Sequence, residues 1–141
     1  EAGVAMIVTA GNRMNPLSAI EAGERATFFA PASSAVNSRK RWIAAMKPRG
    51  ELVVDAGAAR ALADGRSLLP AGVRSVAGSF GRGDPVLILD EDGTTLAQGI
   101  ARYDAADSRR IAGLRSDEIG AVLGYDPRAA LVHRDDMAVG R

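Results

Sequence analysis

Apolar residues along this chain fall in short runs, each closed by glycine, proline or an acidic residue. Val4–Thr9 (V-A-M-I-V-T) is a continuous apolar run that ends at Ala10-Gly11. Such a run predicts a strand buried on both faces of a sheet. Gly3, just before it, is placed to end a preceding helix. Asn15-Pro16 then opens a short helix, with Asn15 as cap, Pro16 at the first helical position, Leu17 and Ile20 on one face and Gly23 at the end. Thr27-Phe28-Phe29 reads as a second strand. Strand, helix and strand together read as the tail of an α/β sheet, too short to close one unaided.

The pattern changes after Ala32–Ser38 (A-S-S-A-V-N-S), a small, polar stretch that reads as a linker. Pro48-Arg49-Gly50 is a turn, and Glu51–Asp55 is a strand running into a helix over Ala56–Ala63. Asp55 is placed to cap that helix, its alanines favour it, and Gly65 stands where a left-handed residue ends it. Val73–Val76 and Pro85–Leu89 read as strands, separated by the glycine-rich turn Gly78–Asp84. Asp92-Gly93 signals a hairpin into a return strand, Leu96–Tyr103. Asp104 caps a helix that carries Asp107 near its start and Arg109 and Arg110 near its end, and Gly113 stops it. Ser116 is placed to cap another helix, with Asp117 and Glu118 in its first turn and Gly124 as its stop. Tyr125-Asp126-Pro127 is a turn, and Met137–Val139 is a last short strand. The fold class predicted is mainly β with short helices: a small mixed β-barrel preceded by a partial α/β tail.

Composition narrows the chemistry. Aromatics make up 4% of the 141 residues, so the core must be aliphatic and alanine-rich. The net charge is +1, and no field of the whole molecule draws in nucleic acid. There is no cysteine, which excludes disulfides and thiol nucleophiles and fits a cytoplasmic protein. No apolar run approaches the length of a membrane span, and no signal-peptide pattern opens the chain. The chain begins E-A-G-V without a methionine, as a fragment would.

Candidate chemistry is sparse. Arg39-Lys40-Arg41-Trp42-Ile43 sets three cations beside the one tryptophan. It is either a phosphate patch with a stacking ring or, more simply, Trp42 and Ile43 packed on a neighbouring surface while the charges stay wet. Gly78–Asp84 has no lysine followed by serine or threonine, so it is not a P-loop. Arg82-Gly83-Asp84 spells an adhesion tripeptide, a chance match in a cytoplasmic protein. His133 is the one histidine and reads as structural rather than catalytic. Asp135 and Asp136 would point to opposite faces of a strand, which argues against a metal site. Asp90, Glu91 and Asp92 read as solvated charge around the hairpin turn. No catalytic, ATP-binding or metal residue is assigned.

One family accounts for the motifs. R-K-R-W-I (Arg39–Ile43), G-E-L-V-V-D-A-G-A (Gly50–Ala58), S-L-L-P-A-G-V (Ser67–Val73), G-S-F-G-R-G-D (Gly78–Asp84), R-R-I-A-G (Arg109–Gly113), S-D-E-I (Ser116–Ile119), L-G-Y (Leu123–Tyr125) and H-R-D-D-M (His133–Met137) follow one another in order. The series resembles the C-terminal part of the bacterial glutamate 5-kinase family. The resemblance implies that residues 1–36 are the tail of an amino-acid-kinase domain, 37–49 a linker and 50–141 a PUA domain, a pseudo-β-barrel. Ala26, before Thr27, departs from the glycine usual in the family. The resemblance also implies the parent's reaction, phosphorylation of the glutamate side-chain carboxylate by ATP with Mg²⁺ in the first step of proline biosynthesis. The family's lysine, nucleotide loop and glutamate-binding groups would all precede Glu1, so this stretch by itself would be inactive. Its PUA domain would be structural or regulatory, meeting the kinase domain or another copy in a homo-oligomer. The alternative is an RNA-binding module. In PUA domains RNA lies against the first helix and the loop after it, here with Arg60, Arg66 and Arg74 as phosphate ligands.

Overall fold

Pro16 and Pro48 bracket the part of the chain whose architecture differs most from the pattern of its residues. In the computed structural model, residues 5–12, 14–30, 35–125, 127–128 and 130–140 are described. Gly3, Val4 and Asp126, read above as a helix end, a strand start and a turn residue, lie outside them. The contacts divide the chain into two units, residues 1–39 and 40–141.

In the first unit, β1 (Met6–Thr9) pairs antiparallel with β2 (Ala26–Phe29), and α1 (Pro16–Glu21) lies between them in sequence. Pro16 opens α1 as expected, but the Asn15 side chain makes no capping bond. The expectation of a strand buried on both faces fails here: Ile7 is 49% exposed and Phe28 63%. The reason is plain, because a two-stranded ribbon and a helix with no buried residue leave both strand faces uncovered.

The division between units falls inside α2 (Ala35–Ala45). The stretch read as a linker is therefore helical from Ala35 onward. Small polar composition misled; no glycine or proline interrupts the chain from Ala35 until Pro48. Of the two residues expected to pack on a neighbouring surface, Ile43 is fully buried, whereas Trp42 stays 60% exposed. The end of α2 is held by a side chain from the sheet: Gln98 Nε2 donates to the carbonyls of Ile43 and Met46, each at 2.7 Å. The Ile43 carbonyl also accepts from the Met46 N–H at 3.1 Å, and Gln98 adds a donor where the last carbonyls of a helix run short of intrahelical partners.

The second unit is built on a five-stranded sheet ordered β4-β3-β5-β6-β7. Its strands are β3 (Gly50–Val54), β4 (Val73–Gly78), β5 (Pro85–Leu89), β6 (Thr95–Ala101) and β7 (Val132–Val139). All neighbours are antiparallel except β3 and β5, which run parallel. β7 starts five residues earlier than the Met137 expected for it. Its ladder slips between Gly99↔Met137 and Ala101↔Val132, so the polar run His133–Asp136 bulges from the pairing and hides a strand.

Alternation sets the core. Leu52 and Val54 of β3, Ile88 of β5, and Ala97 and Ala101 of β6 face inward with Val73, Val132 and Met137. The small buried face of β6 lets β7 approach closely, and a Cβ on Gly99 would overlap Val132. Gly50 and Gly78 cross in the same way: Gly78 has φ +87°, and a Cβ on it would sit 2.7 Å from the Gly50 Cα. The ends of the sheet approach closure through one residue. Leu68, five positions before β4, donates to the Val132 carbonyl (2.9 Å) and accepts from the Leu131 N–H (2.8 Å). This is the pseudo-barrel that the pattern of short strands predicts. α3 (Ala56–Ala63), α4 (Ala105–Ile111) and α5 (Ile119–Leu123) cover it with Leu62, Ile111, Ile119 and Leu123.

Two local readings change. Ser116 does not cap α5; Glu118 precedes the helix and accepts from the Arg115 N–H at 2.8 Å. Asp90 is not merely solvated: its Oδ1 accepts from Asp92 N–H (3.1 Å) and Thr94 N–H (2.7 Å) and shapes the hairpin turn.

Candidate functional site

β3 delivers Asp55 to the mouth of α3. Its Oδ1 accepts from the Ala58 N–H at 2.8 Å, which caps the helix as the sequence predicts. Its Oδ2 lies 3.2 Å from Arg74 Nη2 on β4. One carboxylate thus ties the start of the helix to the next strand in the sequence. The Asp55 N–H also donates to the Gly72 carbonyl at 3.0 Å. A single 3-10 turn over Pro70–Gly72 brings the chain back against α3. Gly72 is required there, because a Cβ would overlap that of Ala58.

Between α3 and this returning loop lies a hollow of about 400 Å³. Gly57 and Ala61 from one stripe of the helix form one wall, and Ser67 to Leu69, Ala71 and Gly72 form the other. The walls are mostly apolar, and Arg66 is the one charged residue in the lining. Ser67 Oγ accepts from the Arg134 N–H at 3.0 Å and anchors the loop to β7.

The three arginines proposed from the sequence separate here. Arg66 lines the hollow; Arg60, on exposed α3, and Arg74, on β4, do not. Arg74 is engaged with Asp55, while Arg60 and Arg66 have no side-chain partner among the described residues. The glycine-rich turn answers to its own acid: the Gly81 N–H donates to Asp84 Oδ2 at 2.8 Å. His133 Nδ1 accepts from the Asp135 N–H at 3.3 Å and lies 3.5 Å from Asp135 Oδ2, a local brace within the bulge.

A second, more polar hollow of about 300 Å³ was not anticipated from the sequence. Arg82, Arg102, Tyr103, Asp104, Asp107, Tyr125 and Arg128 line it. The Tyr103 hydroxyl donates to the Arg128 carbonyl, and burial pushes its pKa up. The Tyr125 hydroxyl donates to Asp107 Oδ2 at 2.7 Å, and that bond raises its pKa to about 12. These residues are scattered over 46 positions of chain between Arg82 and Arg128, so no local motif announces them.

The PUA domain family matches residues 50–123. The chain belongs to that family, and its barrel is a PUA domain. Among curated relatives it is similar to glutamate 5-kinase from Paracoccus denitrificans, 59% identical over 97% of this chain and 37% of that protein. Glutamate 5-kinase from Brucella anthropi is 58% identical over 98% of this chain and 37% of its own length. The resemblance carried by the motifs is thus borne out, and the chain spans 37% of the length of the relatives it matches. Among solved structures it is similar to a PUA domain from Aeropyrum pernix K1. That match has 34% identity and a TM-score of 0.44, over 60% of this chain and 41% of that one.

Proposed function

We propose that this chain is the PUA-bearing part of a glutamate 5-kinase that phosphorylates the glutamate side-chain carboxylate with ATP and Mg²⁺. The observation that carries this is 59% identity sustained over 97% of the chain. The proposed arrangement keeps residues 1–36 as the tail of the kinase domain. Its supports are the exposed apolar strands β1 and β2, which need a larger sheet to cover them.

The residues present do not fit a magnesium–nucleotide complex. Among the described residues no three His, Asp or Glu side chains gather, and the glycine-rich turn spends the Gly81 amide on Asp84. The reading therefore routes phosphoryl transfer through the kinase domain and assigns no step of it to this chain's own side chains. Its part in the enzyme is structural or regulatory, in contact with the kinase domain or with another copy in a homo-oligomer. Among the described residues no helix is long and apolar enough to cross a membrane, and a cytoplasmic place belongs to the same reading. The test is a glutamate- and ATP-dependent assay of the whole gene product beside this chain. Activity in the former and none in the latter is expected; a whole product unable to phosphorylate glutamate sinks the reading.

A second reading, RNA laid along α3 and the loop after it, is favoured by one observation. Arg60 on α3 and Arg66 in the lining of the hollow stand without side-chain partners among the described residues. A gel shift with structured RNA at low and at physiological salt tests it, since phosphate contacts weaken with salt. No shift at either salt removes RNA from consideration.

A further inference from the structure

We infer that the hollow framed by Arg82, Tyr125 and Arg128 binds a small molecule bearing a phosphate group. The argument is one of charges spent and unspent. Five charged side chains line this hollow: Arg82, Arg102, Arg128, Asp104 and Asp107. Both oxygens of Asp107 are occupied, Oδ1 by Arg110 Nη1 at 3.1 Å and Oδ2 by the Tyr125 hydroxyl at 2.7 Å. Asp104 turns Oδ1 to the Asp107 N–H at 2.8 Å, at the start of α4. Arg102 is paired with Asp136 at 3.3 Å. The guanidinium groups of Arg82 and Arg128 have no partner among the described residues. Two unspent forks therefore border one concave surface.

The chemistry of the forks selects the ligand. A guanidinium pairs bidentately with carboxylate or phosphate. One fork saturates a lone carboxylate, whereas a phosphate group offers enough oxygens for two. A space of about 300 Å³ also holds more than the phosphate. The free oxygen of Asp104 and the exposed edge of Tyr125 are placed to meet a hydroxyl-bearing organic part.

Arg82 is held ready for this. It sits at the tip of the turn Gly81–Asp84, which is fixed on both sides. The Gly83 N–H donates to the Ala101 carbonyl at 2.8 Å, and the Gly81 N–H donates to Asp84 Oδ2 at 2.8 Å. Arg128 is fixed at its backbone, where its carbonyl accepts from the buried Tyr103 hydroxyl. Preorganised donors lose less freedom on binding. The hollow shares only the barrel with the α3 face, and the inference does not depend on the parent's reaction.

The test is a titration of the chain followed by the arginine side-chain N–H resonances in NMR at constant ionic strength. Inorganic phosphate, glycerol phosphate and a short oligonucleotide are the probes. Saturable shifts at Arg82 and Arg128 with glycerol phosphate are expected, with weaker binding by phosphate alone. The double variant Arg82→Gln, Arg128→Gln should lose affinity at least about tenfold, while Lys47→Gln, outside the hollow, leaves it unchanged. Both variant positions are exposed, and an unchanged amide spectrum checks that the fold survives. Shifts that fail to saturate, or an affinity unmoved in the double variant, overturn the proposal. Saturation by the oligonucleotide alone overturns it as well, and assigns the arginines to a polymer.

Discussion

Ser108 is fully buried on α4, and its hydroxyl finds no hydrogen-bond partner among the described residues. A buried hydroxyl without a partner loses its hydration for no return, so Ser108→Ala should be neutral or stabilising, on the order of 1 kcal/mol. Urea denaturation reads this directly; a clear loss of stability would mean the hydroxyl is satisfied. Asp55 is the opposite case, with its two oxygens on the α3 cap and on Arg74. Asp55→Ala should cost about 1 kcal/mol, nearly all of it from the cap, because an exposed ion pair adds little. Tyr125 makes a residue-level switch at high pH. It donates to Asp107 only while protonated, and its folded pKa of about 12 lies above the ordinary 10.0. Its contribution is whole below pH 10 and vanishes as pH rises through about 12. Stability should fall across that window, and fall less in Tyr125→Phe, as circular dichroism melts would register. Caps such as Asp55 and Asp104 were legible in the sequence because the groups they satisfy are three residues away. The Ser116 cap failed because the helix begins later, at Ile119, with Glu118 in the position before it.

At the scale of elements, the end of α2 depends on the sheet. Gln98→Leu keeps the bulk of the side chain but withdraws both donors from the Ile43 and Met46 carbonyls. The Ile43 carbonyl keeps the Met46 N–H, so the loss falls mainly on the Met46 carbonyl: about 1–3 kcal/mol if it stays dry, and less if the helix end frays into water. Hydrogen exchange distinguishes the two, since fraying speeds exchange at the end of α2 and leaves β6 protected. The partners lie 55 and 52 residues apart, and no local pattern could join them. For the same reason α2 was missed, since the small polar residues at its start resemble a linker until the helix is tied down at its far end. The strands were legible wherever glycine and proline punctuated alternating residues. β7 was not, because its bulge carries His133–Asp136 through the strand as a polar run. The hollow between α3 and the Pro70 turn was half legible: helix and loop were foreseen, but only Arg66 of its three arginines reaches the lining.

At the scale of the whole molecule, the two units differ in how much they bury. α1 contributes no buried residue and β1 and β2 lie open, whereas the barrel holds a continuous core from Leu52 to Met137. Limited proteolysis should therefore trim residues 1–39 well before it cuts the barrel, and β1 amides should exchange much faster than those of β3 and β6. Equal protection of both units in this chain would contradict that ranking. The closure through Leu68 reaches further, into the order of events during synthesis. Leu68 lies in the middle of the chain, and the carbonyl and amide it needs belong to Leu131 and Val132. A growing polypeptide can assemble β3, β4, β5 and β6 as they emerge. It must then wait with the Ala97 and Ala101 face uncovered until β7 arrives. Contacts so distant in sequence form slowly, and an uncovered strand edge invites mispairing meanwhile. The small residues that let β7 seat so closely also leave a meagre apolar strip until that strand emerges, so the vulnerable interval offers little for a stray chain to grip.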